Sequence, residues 1–266
     1  MVKKRLSIQW RNASSIGNIK EFLKSTPVEP SVIRWLEGDR RSGVQSLARQ
    51  LSVKLERLEK EKARLYKLLS YERKLVETGF EAIAGVDEVG AGPLAGPVVA
   101  AAVITDITMP IENVKDSKRL SEKQRSRIET EIRDSAHAFA FGWVEPEEID
   151  QVNIYQASLL AMQRAVGNLD MKPDHLLVDA RTIPEVPYPQ KAIIGGDNLS
   201  YAIAAASILA KQERDRFMVE MDERYPDYGF GGHKGYGTAK HLKALKRLGP
   251  CPLHRKSFAP VAAALL

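Results

Sequence analysis

The stretch Ala82-Ile83-Ala84-Gly85-Val86-Asp87-Glu88-Val89-Gly90-Ala91-Gly92-Pro93-Leu94-Ala95-Gly96-Pro97 restricts this chain more than any other. An apolar run closed by Gly and Pro reads as a buried strand, so Asp87 and Glu88 fall where a strand leaves the core. Two adjacent charges there carry a desolvation cost that a partner must offset. Asp179 closes a second short apolar run at 175–178, and Asp197 follows a third at 192–194, just ahead of a helix. In open α/β sheets the strand ends border the crevice where ligands bind. Carboxylates gathered in one crevice raise one another's pKa unless cations intervene. Oxygen donors without Cys or a His cluster select Mg2+ or Mn2+ over Zn2+ or Cu2+. Two such ions, about 3.5–4 Å apart, activate a water and stabilise the leaving oxygen of a phosphodiester. The purely structural alternative is a helix cap or an exposed ion pair. It fits Asp197 best, which precedes a helix closely.

Around these acids the pattern alternates. Residues 98–104 and 136–144 read as further strands. Ser121 with Gln124 three positions on is a capping-box pattern that opens a helix. Residues 153–166 are amphipathic, 199–224 form a long helix with an alanine-rich start, and 238–248 form a helix carrying lysines. Early strands that later alternate with helices predict an α/β domain with a mixed sheet flanked by helices. Residues 1–71 differ. Leu51, Leu55, Leu58, Leu65 and Leu69 recur at helical spacing among Lys, Arg and Glu, and 16–23 and 32–36 read as short helices separated by Pro27 and Pro30. We read 1–71 as a basic helical N-terminal extension, which packs its leucine stripe or adds phosphate contacts, and 72–266 as the main domain.

Several function classes fit poorly. The glycine loop follows a strand, as a dinucleotide fingerprint would, but its third glycine comes one place late and Pro93 stands where a helix should begin. The phosphate-loop pattern is missing, and His233, His241 and His254 match no zinc spacing. One cysteine, Cys251, excludes an internal disulfide and fits a reducing compartment. Residues 1–5 are basic but lead into no continuous apolar run, so neither a secretory leader nor a membrane span is expected. A net charge of +6 and a pI near 9.3 favour a polyanionic partner. Basic groups gather in loops: Lys115, Lys118 and Arg119; His233 and Lys234; Arg255 and Lys256. Beside glycine turns they suit phosphate contacts. Tyr236, between two glycines, reads either as a half-buried packing residue or as an aromatic that stacks on a sugar or base.

Taken together, Asp87-Glu88-Val89-Gly90 with Gly92-Pro93-Leu94-Ala95-Gly96-Pro97, Asp116-Ser117-Lys118, Gly196-Asp197, Ala204-Ala205-Ala206-Ser207, Lys211 with Arg214-Asp215, His233-Lys234-Gly235-Tyr236-Gly237 and His254-Arg255 resemble the motifs of bacterial ribonuclease HII, in order, across about residues 71–261. The helical extension resembles that of the enzymes of Bacillus relatives. The resemblance implies a ribonuclease H-like fold and a cytoplasmic, monomeric endonuclease dependent on Mn2+ or Mg2+. Its partners would be RNA–DNA hybrids and duplex DNA with embedded ribonucleotides, cut on their 5′ side. It implies that Asp87, Glu88, Asp179 and Asp197 bind the metals. The turn Gly90, Ala91, Gly92 and Tyr236 would read the ribonucleotide junction, with Lys118 and the 211–214 region near the phosphates. Apart from the resemblance, His254 or another group is a candidate to assist proton transfer, and the sequence does not decide between them. The chain departs from the family pattern at Ala91, where arginine is usual, and at Gly195, where lysine is usual. Each loses a cation. Two rival readings follow: a hybrid-binding protein with an impaired site, and a dinucleotide-dependent oxidoreductase.

Overall fold

The computed structural model describes residues 14–25 and 28–265. Pro27, and the segment 1–13 on which the expectation of no leader rests, lie outside the described residues. The chain divides into two compact units, Met1–Arg64 and Leu65–Leu266.

In the first unit, α1 (Ile16–Lys24) starts on the Ser15 hydroxyl, which accepts from the Asn18 amide, and α2 (Pro30–Glu37) starts on a proline. With the start of α3 (Ser42–Leu68) they bury Ile19, Val32, Leu36, Val44 and Ala48. Further along α3, Leu51, Leu55 and Leu58 are half-buried.

The second unit begins in the last turn of α3 and continues through α4 (Ser70–Glu77), β1 (Ile83–Val89), β2 (Val98–Ile104), α5 (Glu122–Ser135), β3 (Ala138–Val144), α6 (Pro146–Val152) and α7 (Ile154–Gly167). There follow β4 (His175–Asp179), β5 (Gln190–Ile193), α8 (Tyr201–Arg224), α9 (Phe230–His233), α10 (Ala239–Leu248) and α11 (Ala259–Ala262). The sheet is mixed, in the order β3-β2-β1-β4-β5. β1 pairs with β2 antiparallel and with β4 parallel, and β4 pairs with β5 parallel. α7 covers one face, where Ala157, Ala161, Met162 and Ala165 meet Val86, Ala100 and Ala102. α8 covers the other, where Ala204, Ala205 and Ile208 meet Ala101 and Val103.

Strand alternation sets what each face receives. Gly85 and Asp87 point to the α8 side. A Cβ at Gly85 would run into the Ala202 carbonyl and the Ile203 amide, so the first turn of α8 rests on the strand backbone itself. The alanine-rich start of α8 is the other half of that close approach.

Most expected elements are present, with shifts of a few residues. The capping box at Ser121 and Gln124 forms. β3 begins two residues late. α8 begins at Tyr201 because Ser200, and not Asp197, is its cap: the Ser200 hydroxyl accepts from the Ile203 amide at 3.3 Å. α6 was not expected, although Pro146 at its start and Glu147 and Glu148 in its first turn are ordinary start signals.

Gly85→Ala should lower stability by about 3 kcal/mol, the upper range for overpacking a rigid contact. Gly167→Ala, at a helix end with open space around it, should be neutral or slightly stabilising. Urea titration of both variants checks this pair.

Candidate active site

Parallel pairing of β1 with β4 puts their carboxyl ends side by side, with Val86 opposite Val178. Asp87 and Asp179 each follow one step on. One carboxylate oxygen from each of Asp87, Glu88 and Asp179 lies within 4.8 Å of the others. Asp87 is only 7% exposed. Its Oδ1 accepts from the Glu88 amide at 2.8 Å, and the Ser207 hydroxyl of α8 favours its charged form. Ser207 shares a 3.1 Å hydrogen bond with the buried Ser117. Asp179 accepts from the Gly196 amide at 2.7 Å, which draws the turn Gly196–Asn198 over the end of β4. Asp197 sits in that turn, half-buried and outside the three-carboxylate group, with its Oδ1 accepting from Asn198 at 2.9 Å.

Burial pushes all four carboxyls above their ordinary range. For Asp87, raised well above it, the charges of Glu88 and Asp179 add to burial. For Asp197, Asp116 and Asp179 add to it. Opposing charge comes from Arg181 and Lys118, which act on both Glu88 and Asp179. Lys118 is exposed and follows Asp116, whose carboxylate accepts the Lys118 amide at 2.9 Å. Lys211 is half-buried and paired with Asp215 at 2.7 Å. Oxygen donors gathered without Cys or His, and short of compensating charge, fit a hard divalent cation.

Beside the acids the glycine loop is wrapped around two guanidinium groups that have no exposure at all. Arg255 donates to the carbonyls of Gly90 (2.6 Å), Ala91 (3.2 Å), Pro93 (2.7 Å) and Gly96 (2.8 Å). Arg214 donates to Ala95 (3.1 Å), Pro97 (2.9 Å) and Lys234 (3.0 Å). Gly90 has a φ of 93°, and a Cβ there would strike the Arg214 side chain. These two arginines are therefore corrections to the phosphate contacts expected from sequence. Six loop carbonyls offered inward need buried donors, and long basic side chains supply them. Burial pushes Arg255 down to about 9 and Arg214 to about 10, so both remain charged at neutral pH. Tyr236 is 42% exposed, and its ring edge comes near Gly92, so the two halves of the expected junction reader do meet.

The three histidines also converge, but as structure. Cys251 N–H donates to His254 Nδ1 at 3.0 Å, and His254 and His241 share a 3.0 Å bond between their Nε2 atoms. His241 Nδ1 lies 2.9 Å from the Tyr236 carbonyl. One neutral tautomer set satisfies the chain: His254 donates to His241, which donates to Tyr236. Burial pushes His254 down to about 4. With 1% exposure and both nitrogens engaged, it is not placed for proton transfer.

Sequence reasoning missed Glu72. Its side chain is fully buried, and its Oε1 accepts from the Ser200 hydroxyl (2.6 Å) and the Ala202 amide (3.0 Å). It thus anchors the first turn of α8 immediately after the Asp197 turn. A lone Glu on a charged helix gave no signal of this. The four acids on the sheet side were each visible at the end of an apolar run.

Residues 84–261 match the family model described as Ribonuclease HII, and residues 15–76 match the one described as Ribonuclease HII N-terminal domain. A ribonuclease HII of Myxococcus xanthus is 52% identical over 244 residues, covering 91% of this chain and 83% of that protein. One of Desulfitobacterium hafniense is 47% identical over 247 residues, covering 93% and 95%. Among solved structures, the ribonuclease H2 of Pyrococcus horikoshii is similar with a TM-score of 0.59 at 25% identity, covering 69% of this chain and 97% of that one.

The raised carboxyls carry a stability consequence. A folded-state pKa above the unfolded one favours the fold at low pH, and that advantage is lost as pH rises through the folded value. In metal-free buffer Asp87→Asn should therefore raise the melting temperature at pH 8, with a smaller gain at pH 5. A variant less stable than the parent at pH 8 would contradict the repulsion read from the cluster.

Proposed function

Given that the chain belongs to the ribonuclease HII family and is a ribonuclease H enzyme, we propose that it hydrolyses the RNA strand of RNA–DNA hybrids and incises duplex DNA 5′ to embedded ribonucleotides. The observation that carries this reading is the approach of Asp87, Glu88 and Asp179 to within 4.8 Å of one another at one end of the sheet. These three, with Asp197 from the adjoining turn, would hold two divalent cations, Mg2+ or Mn2+. When bound, the cations supply Lewis-acid activation of water and neutralise charge at the scissile phosphodiester. The side chains do the rest. The Glu88 amide holds Asp87, the Gly196 amide holds Asp179, and Glu72 fixes the helix start beyond Asp197. Lys118 stands exposed beside the acids, suited to a backbone phosphate. Lys211, whose ammonium is paired with Asp215, would be a further contact to the phosphates.

Recognition of RNA falls to the loop. Arg255 and Arg214 turn its carbonyls inward, and the amides of Ala91 and Gly92 take no backbone acceptor among the described residues. Those donors, with Tyr236 beside Gly92, suit a 2′-hydroxyl and its sugar. Ala91 offers only a methyl group, which favours a second reading: single embedded ribonucleotides are cut less well than long hybrids. Residues 1–71 serve as an extension and 72–266 as the catalytic domain. No helix among the described residues is long and apolar enough to cross a membrane, and one buried free thiol suits the cytoplasm.

Cleavage of a hybrid and of a duplex with one ribonucleotide, each with Mg2+ and with Mn2+, tests the proposal. Both should be cut to 3′-hydroxyl products. Asp87→Asn should lose more than about a hundredfold, beyond the cost of an outer-shell partner, and Ala91→Arg should improve the single-ribonucleotide substrate selectively. Intact substrates with either cation would overturn the assignment.

A further inference from the structure

Arg181 stands two residues beyond Asp179, and beyond the charge it sets against Glu88 and Asp179 it has no assigned role. Its backbone is held in an unusual turn: the Arg181 amide donates to the Asp179 carbonyl at 2.6 Å, and Ala180 between them has a φ of 53°. Positive φ at a residue with a side chain costs energy and persists where its surroundings impose it, often at functional sites. The turn sends the guanidinium back to the acids. Nη1 lies 3.5 Å from Glu88 Oε1, close enough for an ion pair, yet it is buried and makes no hydrogen bond. The guanidinium carbon lies over the ring of Tyr155, 5.0 Å from its centroid, and Tyr155 is 54% exposed. A planar cation with five donors is thus pinned at the mouth of an acidic crevice, with its hydrogen-bonding capacity unspent. Arg214 and Arg255 are fully committed to loop carbonyls, and Lys211 is committed to Asp215. Gly90, Ala91 and Gly92 bring no cation of their own.

We propose that Arg181 is a phosphate-binding residue of the nucleic-acid groove: it rests on Glu88 in the metal-free protein and turns to the substrate backbone when divalent cations claim that carboxylate. The inference rests on the metal and substrate reading given above. Its chemistry is the bidentate match of guanidinium to phosphate, for which the aromatic ring of Tyr155 supplies a platform. It also means that Arg181 competes with metal for Glu88.

Two binding measurements on the whole chain test this, neither of them turnover. Calorimetry with Mn2+ alone should show Arg181→Ala binding the metal several-fold more tightly than the parent. Fluorescence anisotropy with an RNA–DNA hybrid in Ca2+, intact by gel, should show about tenfold weaker binding for Arg181→Ala. The slope of log affinity against log salt should fall by roughly 0.9, one phosphate contact. Arg181→Lys should recover the salt slope and part of the affinity, which a merely structural role would not give. If both variants melt like the parent but bind Mn2+ and hybrid as the parent does, the proposal is overturned while the nuclease reading stands. If the parent itself binds neither Mn2+ nor hybrid, the reading and the proposal fall together.

Discussion

The seat of α8 on β1 sets everything else in the unit Leu65–Leu266. Because Gly85 has no side chain, the first turn of the helix lies directly against the strand. That contact fixes Ser207 beside Asp87 and brings the turn ahead of α8, with Gly196 and Asp197, over the end of β4. Parallel pairing of β1 with β4 then leaves no freedom in where Asp179 falls. The carboxylates are gathered by backbone packing and register, and not by attraction among themselves, since their mutual charge opposes the arrangement. Such a cluster lowers the stability of the metal-free fold and is characteristic of sites tuned for binding.

The loop next to it solves the opposite problem. A tight glycine and proline turn in the interior carries carbonyls that no strand or helix can pair, and each would cost free energy if left alone. Two buried guanidiniums satisfy six of them. Removing either would strand several acceptors at once, so these arginines are structural even though they stand in motifs that look like phosphate contacts. The outcome is a turn beside an acidic crevice in which the Leu94 and Gly96 amides pair with Gly235 and Leu253, while those of Ala91 and Gly92 have no backbone acceptor among the described residues. The histidine chain from Cys251 through His254 and His241 to the Tyr236 carbonyl braces the facing loop in the same manner.

Much of this was legible in the sequence because the signals were local. An apolar run closed by glycine and proline located β1, and single acids at the ends of short runs located Asp179 and Asp197. The capping box at Ser121 and the long helix 201–224 follow from ordinary periodicity and capping. What failed was exposure. Arg255 was expected to meet phosphates because it stands in a basic loop, and Arg214 because the resemblance places it there; both expectations assumed that charge means solvent. Only the three-dimensional count of orphaned carbonyls shows why they are inside. Glu72 was invisible for the same reason: its partners, Ser200 and Ala202, are distant in sequence. Arg181 gave no sign either, since its place at Glu88 depends on a turn that Ala180 adopts against its own preference. The histidines match no zinc spacing in the sequence, and their contact with one another came only from the fold.

The central claim is that Asp87, Glu88 and Asp179 form a cage for hard cations. Crystals grown with Mn2+ and measured at the manganese absorption edge test it most directly. Anomalous peaks within about 2.0–2.5 Å of the three carboxylates, the range for hard cations on oxygen, are the expected result. Diffraction of the same quality with no peak at those oxygens, from crystals of protein that cleaves hybrid in the same Mn2+ buffer, would contradict it.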